Sequence, residues 1–517
     1  MGLRLVRGLP GYLRQPLAAG AARAALGRRL ARREDDFLDL AKRAIFDHPP
    51  SPYLPLLAAA GCEYGDLERL VRSDGLESAL KSLYRRGVYL TTDEVKGRRK
   101  AVRGATAVEA GPSRLRNPLA AGHYWVSTSG SRGASTQLPI DLACIRDRSV
   151  NMLLGLDARG GADWRKAIWM LGGISPLLWY SGGGRPVERW FSPLDLRSPR
   201  VSPRYRWSAR GVAWAGRLSG RRLPRPEPVP VSGALPIARW MEGVLREGGI
   251  PHLWAFPSAA VRLCREAQEA GIILRGAQLT VTGEPVTDAA LGVFRESGVG
   301  AVPDYGSADS GGSAAQGCLA PEAADDVHVF SDLNALIQAE GPPFPPGALL
   351  LTSIRSTAPF VYLNVSLGDR AVMTERRCGC PMEELGWKTH LSRIRSYEKL
   401  TAGGMNFTDT DLIRILDEAL PRRFGGVPGD YQLVEDLSDD GRPRVRLLVS
   451  PSVPPAEPAA IRDHFLETLA GQGGAERTMS LQVREAGLLT VVRRKPIAGP
   501  AGKVLHLWAQ GESDHDR

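Results

Sequence analysis

Between about residues 34 and 86 the apolar positions recur every three to four residues, the period of helices with one buried face. Thr91-Thr92-Asp93-Glu94 then reads as a capping turn into another helix. From Tyr124 the texture changes to short β-rich runs, Gly-rich loops and intervening helices, which predicts α/β architecture with loops at strand ends. Residues 181–232 are dense in Pro, Arg and Trp and follow neither period, so they read as a long surface excursion. Helices are expected over 236–247 and 258–270, and an apolar strand over 278–281. After about residue 396 a fresh unit begins, with a helix over 410–420, a strand over 444–449, a helix over 459–469 and a last strand pair near 481–492. That pattern predicts a compact α+β domain of ordinary size.

The length of 517 residues exceeds what one hydrophobic core usually supports and requires at least two domains. The pattern divides the chain into a basic segment 1–33, a large domain 34–395 and a small domain 396–517. The first segment reads as an amphipathic helix on the domain surface in preference to an organelle-targeting peptide, given its Gly and Pro interruptions. The net charge is +11, but the basic residues are spread along the chain instead of forming one long tract, so nucleic acid is not the expected partner and a small polyanion such as a nucleotide fits as well. Six cysteines in so long a chain form no disulfide framework, no apolar leader precedes them, and no stretch is apolar enough to span a membrane. The expectation is a cytoplasmic location.

Candidate chemistry gathers in a few segments. Residues 127–136 read STSGSRGAST after the apolar Tyr124-Trp125-Val126. Ser127, Thr128, Ser129, Gly130, Ser131, Gly133 and Thr136 would let backbone amides and hydroxyls approach phosphate oxygens, although Ser/Gly-rich segments are more often plain loops. Asp304-Tyr305-Gly306-Ser307-Ala308-Asp309 offers a ring to stack on a base and a carboxylate to hold magnesium; alone, it reads rather as a buried Tyr and a turn Asp. Asp369, taken to follow a strand over 360–365, suits two ribose hydroxyls, or else forms a surface pair with Arg370. Arg395 and Lys503 are cations suited to a nucleotide. Trp164, Trp169, Trp179 and Trp254 offer an aromatic acid pocket, or simply core.

In this order and spacing the segments resemble the adenylate-forming superfamily of acyl-CoA ligases, luciferase and peptide-synthetase adenylation domains. The resemblance covers most of residues 34–507 and fades over 181–232. It implies a large N-terminal AMP-binding domain of several subdomains and a small mobile C-terminal domain. Residues 127–136 match the phosphate loop, Gly283, Glu284 and Pro285 the Gly-Glu-Pro element, and Asp304, Tyr305, Gly306, Ser307 and Asp309 the adenine and magnesium motif. Asp369 matches the ribose-binding Asp, Arg395 the hinge Arg, and Lys503 the adenylation lysine. Two departures stand out: Ala134 where many members carry Lys, and Asp309 where a Glu usually holds the metal.

Phe256-Pro257-Ser258, the run 396–406 and Cys378-Gly379-Cys380 are similar to the phenylacetate-CoA ligase branch, which includes a deazaflavin-coenzyme synthetase and capsule-locus homologues. Cys318, His328, Cys378 and Cys380 make a closed tetrahedral set for a structural zinc, set against the tightness of a Cys-x-Cys pair. Cys62, Cys144 and Cys264 read as small buried hydrophobes.

The resemblance implies ATP, Mg²⁺ and a carboxylic acid as reactants, with Lys503 and Asp309 in the catalytic roles and coenzyme A as the acceptor. Two alternatives remain. One is transfer of AMP or acyl to a hydroxyl, an amine or the thiol of a carrier protein. The other is a non-catalytic nucleotide-binding homologue, motivated by Ala134 and Asp309.

Overall fold

The computed structural model describes residues 3–127, 137–199, 201, 203–230, 233–283, 286 and 288–397. Beyond these it describes 400–402, 405–407, 412, 415–426, 429–437, 443–471, 480–481, 483–485, 487–497 and 507–509.

Among the described residues, twelve strands form the central sheet. From one edge their order is Asn334–Gln338, Ala348–Ser353, Val365–Glu375, Thr389–Ser396, Val327–Val329, Gly312–Gly317, Gly300–Ser307, Gln278–Thr282, Pro251–Ala255, Arg165–Trp169, Val187–Ser192 and Pro226–Pro228. The half from Gly300–Ser307 to Pro226–Pro228 is parallel, and the other half is antiparallel. A parallel sheet needs cover on both faces, and its strands read as unbroken apolar runs; all five residues of Pro251–Ala255 are buried. Helices Leu235–Arg246, Pro257–Glu269 and Asp288–Glu296 close one face around Leu253, Val261, Leu279 and Phe294. Helices Leu142–Asp157 and Ile174–Ser181 belong to the core on the other, with Ile168, Trp179 and Trp254.

The helical entry region is as the periodicity predicts, and a capping box joins Thr91 to Glu94. The segment 1–33 adds helices Leu3–Arg14 and Ala19–Ala31, whose Leu5, Leu9, Leu13 and Leu26 are buried in the main core.

Several elements differ from the sequence reading. Residues 181–232 are no structureless excursion: they supply two sheet strands and the helix Pro203–Leu218. The helical period is masked there because the outward face carries Trp207, Trp214 and Leu218, each at least half exposed. The strand expected over 360–365 begins instead at Val365 and runs to Glu375, because Asn364 turns into the left-handed region at φ 52°. Asp369 therefore lies within a strand.

In the C-terminal unit, strands Leu489–Arg493, Pro443–Val449, Tyr431–Leu437 and Leu507–Ala509 form a four-stranded sheet in that order. The helix Pro458–Ala470 contributes Ile461, Phe465 and Leu469 to its core. Of the pair expected near 481–492, the described residues contain one strand, Leu489–Arg493, which runs parallel to Pro443–Val449. The helix expected over 410–420 includes the π-helical turn Ile415–Ala419 and continues as Leu420–Phe424.

Candidate functional site

Strand Gly300–Ser307 carries Asp304 and Tyr305 to its C-terminal end, where the ladder with Gly312–Gly317 is broken by a bulge between Tyr305 and Gly306. A side chain at Gly306 would stand 2.3 Å from the Gly312 carbonyl, so the bulge needs glycine. Tyr305 is turned across the sheet, and its hydroxyl donates to Asp369 Oδ2 at 3.0 Å. Burial, and then the neighbouring Asp369 carboxylate, hold the phenol well above its ordinary range. Two motifs 64 residues apart in sequence thus share one hydrogen bond.

Asp304 is fastened within the sheet. Its carboxyl accepts from Thr282 Oγ1 at 3.0 Å and from Ser313 Oγ. Burial pushes its pKa up to about 7, against the pull of those two hydroxyls and of Arg148. The register places it in a transverse row of buried polar residues, Thr282, Asp304, Gln316, His328 and His390, on five successive strands.

Asp309 follows in the turn before Gly312–Gly317. Its Oδ2 accepts from Lys96 Nζ at 3.3 Å, while Oδ1 is buried without a hydrogen bond among the described residues. Lys96 directly follows the capped helix Thr92–Val95, which packs on the Asp369 strand. The sequence reading missed this lysine because nothing local marks it as part of the site.

Arg395 stands beside the Asp369 strand in register with Arg370, but its guanidinium donates to Asp325 Oδ2 at 3.0 Å and to the Ile394 carbonyl at 2.7 Å. Gly283 closes its strand at φ 81°. Ser127 ends strand Tyr124–Ser127. Thr128, Ser129, Gly130, Ser131, Gly133, Ala134, Thr136, Glu284, Pro285 and Lys503 lie outside the described residues.

The four metal-ligand candidates do converge. One atom each of Cys318, His328, Cys378 and Cys380 falls within 4.8 Å of all the others. His328 Nε2 is 3.2 Å from Cys380 Sγ and 3.6 Å from Cys378 Sγ. Its Nδ1 is 2.6 Å from the Trp387 carbonyl, which can only accept, so the proton sits on Nδ1 and Nε2 is left bare. Burial and then the neighbouring His390 bring the imidazole down to about 4, the neutral form a metal requires. Burial raises Cys318 and Cys378, whereas Cys380, opposed by burial, is brought below its usual value by backbone donors including those of Leu319 and Glu383. Three sulfurs and one bare nitrogen fit a closed tetrahedral ion. Cys62, Cys144 and Cys264 are buried apart from this cluster.

Trp179 and Trp254 meet edge to face at 6.0 Å, and Trp164 stacks on His252 at 5.9 Å. Trp169 packs in the opposite core, where its indole donates to the Val229 carbonyl.

No family model and no curated protein matches the sequence. Solved structures do match. A 2-hydroxyisobutyryl-CoA ligase in complex with 2-HIB-AMP and CoA superposes with a TM-score of 0.53 at 14% identity, over 94% of this chain and 90% of that one. The chain has the fold of the adenylate-forming ligases. An o-succinylbenzoate CoA synthetase from Bacillus subtilis matches over 75% of this chain and 69% of its own at 13% identity, TM-score 0.42. An amide bond synthetase from Marinactinospora thermotolerans matches over 91% and 92% at 14% identity, TM-score 0.40. Among the described residues no helix of this ligase-fold chain is long and apolar enough to cross a membrane.

Proposed function

We propose that the chain is an AMP-forming acid–thiol ligase of the phenylacetate-CoA ligase kind. A carboxylate oxygen of the acid attacks the α-phosphorus of ATP, the bond to the bridging oxygen breaks, and acyl-AMP and pyrophosphate result. The thiolate of coenzyme A then attacks the acyl carbon and AMP leaves. The observation that supports this most is the 3.0 Å bond between Tyr305 and Asp369, which unites the adenine and ribose motifs.

In this reading Tyr305 offers its ring to the base and Asp369 accepts from the ribose. The segment 127–136 cradles the pyrophosphate, and Gly283, Glu284 and Pro285 border the nucleotide. Asp309 suits magnesium through its one uncommitted oxygen, and a bound ion would neutralise phosphate charge there. Lys96 already brings a positive charge to the same carboxylate. Lys503 supplies the charge at the α-phosphate, and Arg395 releases Asp325 when the C-terminal domain turns for the second step. Zinc would act as a structural pin held by Cys318, His328, Cys378 and Cys380, since four protein ligands leave no open position.

The test is carboxylate-dependent ATP–pyrophosphate exchange across a panel of aryl and aliphatic acids, with and without coenzyme A. Lys503→Ala should abolish exchange yet spare thiolysis of a supplied acyl-adenylate. Nucleotide binding by calorimetry with no exchange on any acid would favour the non-catalytic reading, which the Lys96–Asp309 pair also motivates.

A further inference from the structure

Residues 196–226 contain nine arginines and no lysine or carboxylate, and residues 1–33 contain eight arginines, again with neither. Neither segment is a continuous basic tract. Folding adds them together, because helix Leu3–Arg14 packs against helix Pro203–Leu218. Arg14 donates to the Leu218 carbonyl at 3.1 Å, which ties the two helix ends. The net charge of +11 means that everything outside these two segments is slightly net acidic, so the positive excess comes from these two segments.

Each helix presents a coherent outer face. On Pro203–Leu218 the inward positions are Ala209, Val212, Ala213, Ala215 and Gly216. The outward stripe is Trp207, Arg210, Trp214, Arg217 and Leu218, at the helical spacing of one face. Trp207 is 60% exposed, Trp214 53% and Leu218 50%. On Leu3–Arg14, Leu5, Leu9 and Leu13 turn inward while Arg4, Arg7 and Arg14 turn out. None of Arg4, Arg7, Arg14, Arg210 and Arg217 has a carboxylate partner among the described residues, whereas Arg23, Arg29 and Arg33 are spent on Asp157, Asp147 and Glu77.

We infer that this paired-helix face docks on an anionic membrane surface. Indoles and a leucine set among guanidinium groups form the composition that settles at the headgroup level of a bilayer, and the arginines supply attraction to acidic lipids. Single-stranded nucleic acid is the rival polyanion. The observations favour lipid because Arg210 already lies over the Trp207 ring at 5.4 Å, where a base would stack, and Leu218 offers a base nothing. The helix lies along the surface, so the contact is peripheral.

Full-length protein would be mixed with vesicles of phosphatidylcholine alone, or of equal parts phosphatidylcholine and phosphatidylglycerol, and the bound fraction read by flotation. Binding to the anionic vesicles only, weakened by salt, is the expected result. Arg210→Glu and Arg217→Glu together should weaken it on the order of thirtyfold. Trp207→Ala with Trp214→Ala should weaken it about tenfold or more, with the circular dichroism and thermal midpoint of the parent retained. These side chains are exposed, so both variants fold; the tryptophan pair also stands as an independent test if the charge reversals do not. Absence of anionic-vesicle binding, equal binding to neutral vesicles, or parent-like binding by either folded variant overturns the inference. So does tight binding of poly(U) at a salt concentration where the vesicles float free.

Discussion

The ammonium of Lys96 lies 3.3 Å from Asp309 Oδ2, and both side chains are largely withdrawn from water. Removing Lys96 alone leaves the buried Asp309 carboxylate without this cation. Lys96→Met and Asp309→Asn should each destabilise the fold, and the double variant should recover part of the loss. A double-mutant cycle by chemical denaturation should give a coupling of about 1–3 kcal/mol. Additive effects would mean the pair is incidental.

Tyr305→Phe deletes the donor to Asp369 while leaving the ring. If that bond presets Asp369 for the ribose, KM for ATP in pyrophosphate exchange should rise about five- to tenfold, with the maximal rate little changed. A fall in rate at unchanged KM would place the hydroxyl in the chemistry instead.

The sulfur and imidazole cluster should hold one zinc per chain in protein purified without chelator, and Cys380→Ser should lose it. Prolonged chelation should lower the thermal midpoint of the parent and leave that variant's unchanged. Elemental analysis that finds no stoichiometric metal would remove the structural pin from the reading.

Asp304, raised by burial to about 7, sets a direction for pH. The folded chain keeps this proton at pH values where the unfolded chain, near its usual 3.8, has released it. The contribution is fully present below the unfolded value and is lost as pH rises through about 7. Relative to Asp304→Asn, the parent should therefore lose stability, on the order of 4 kcal/mol, from acid to mildly alkaline pH. Parallel denaturation curves for the two across that window would contradict the burial argument.

The sequence carried the α/β class and the four metal-ligand candidates, because strand and turn chemistry and Cys spacing are local signals. It brought out Tyr305, Asp309 and Asp369 one by one, but the meeting of Tyr305 with Asp369 is a matter of register, since Tyr305 reaches Asp369 across the sheet. Lys96 was invisible because its role comes from where a short capped helix lands. The helix Pro203–Leu218 was missed for the opposite reason, since aromatic residues on its solvent face erase the contrast on which a helical period depends.

The row from Thr282 to His390 bears on how the chain folds as well as on what it binds. Side chains alternate between faces along a strand, so a one-residue slip of Val327–Val329 would carry His328 away from Cys378, Cys380 and the Trp387 carbonyl at once. Mispairing of the antiparallel strands would thus be rejected by several unmet polar groups together. The row is a proofreading device for a sheet assembled from strands distant in the chain.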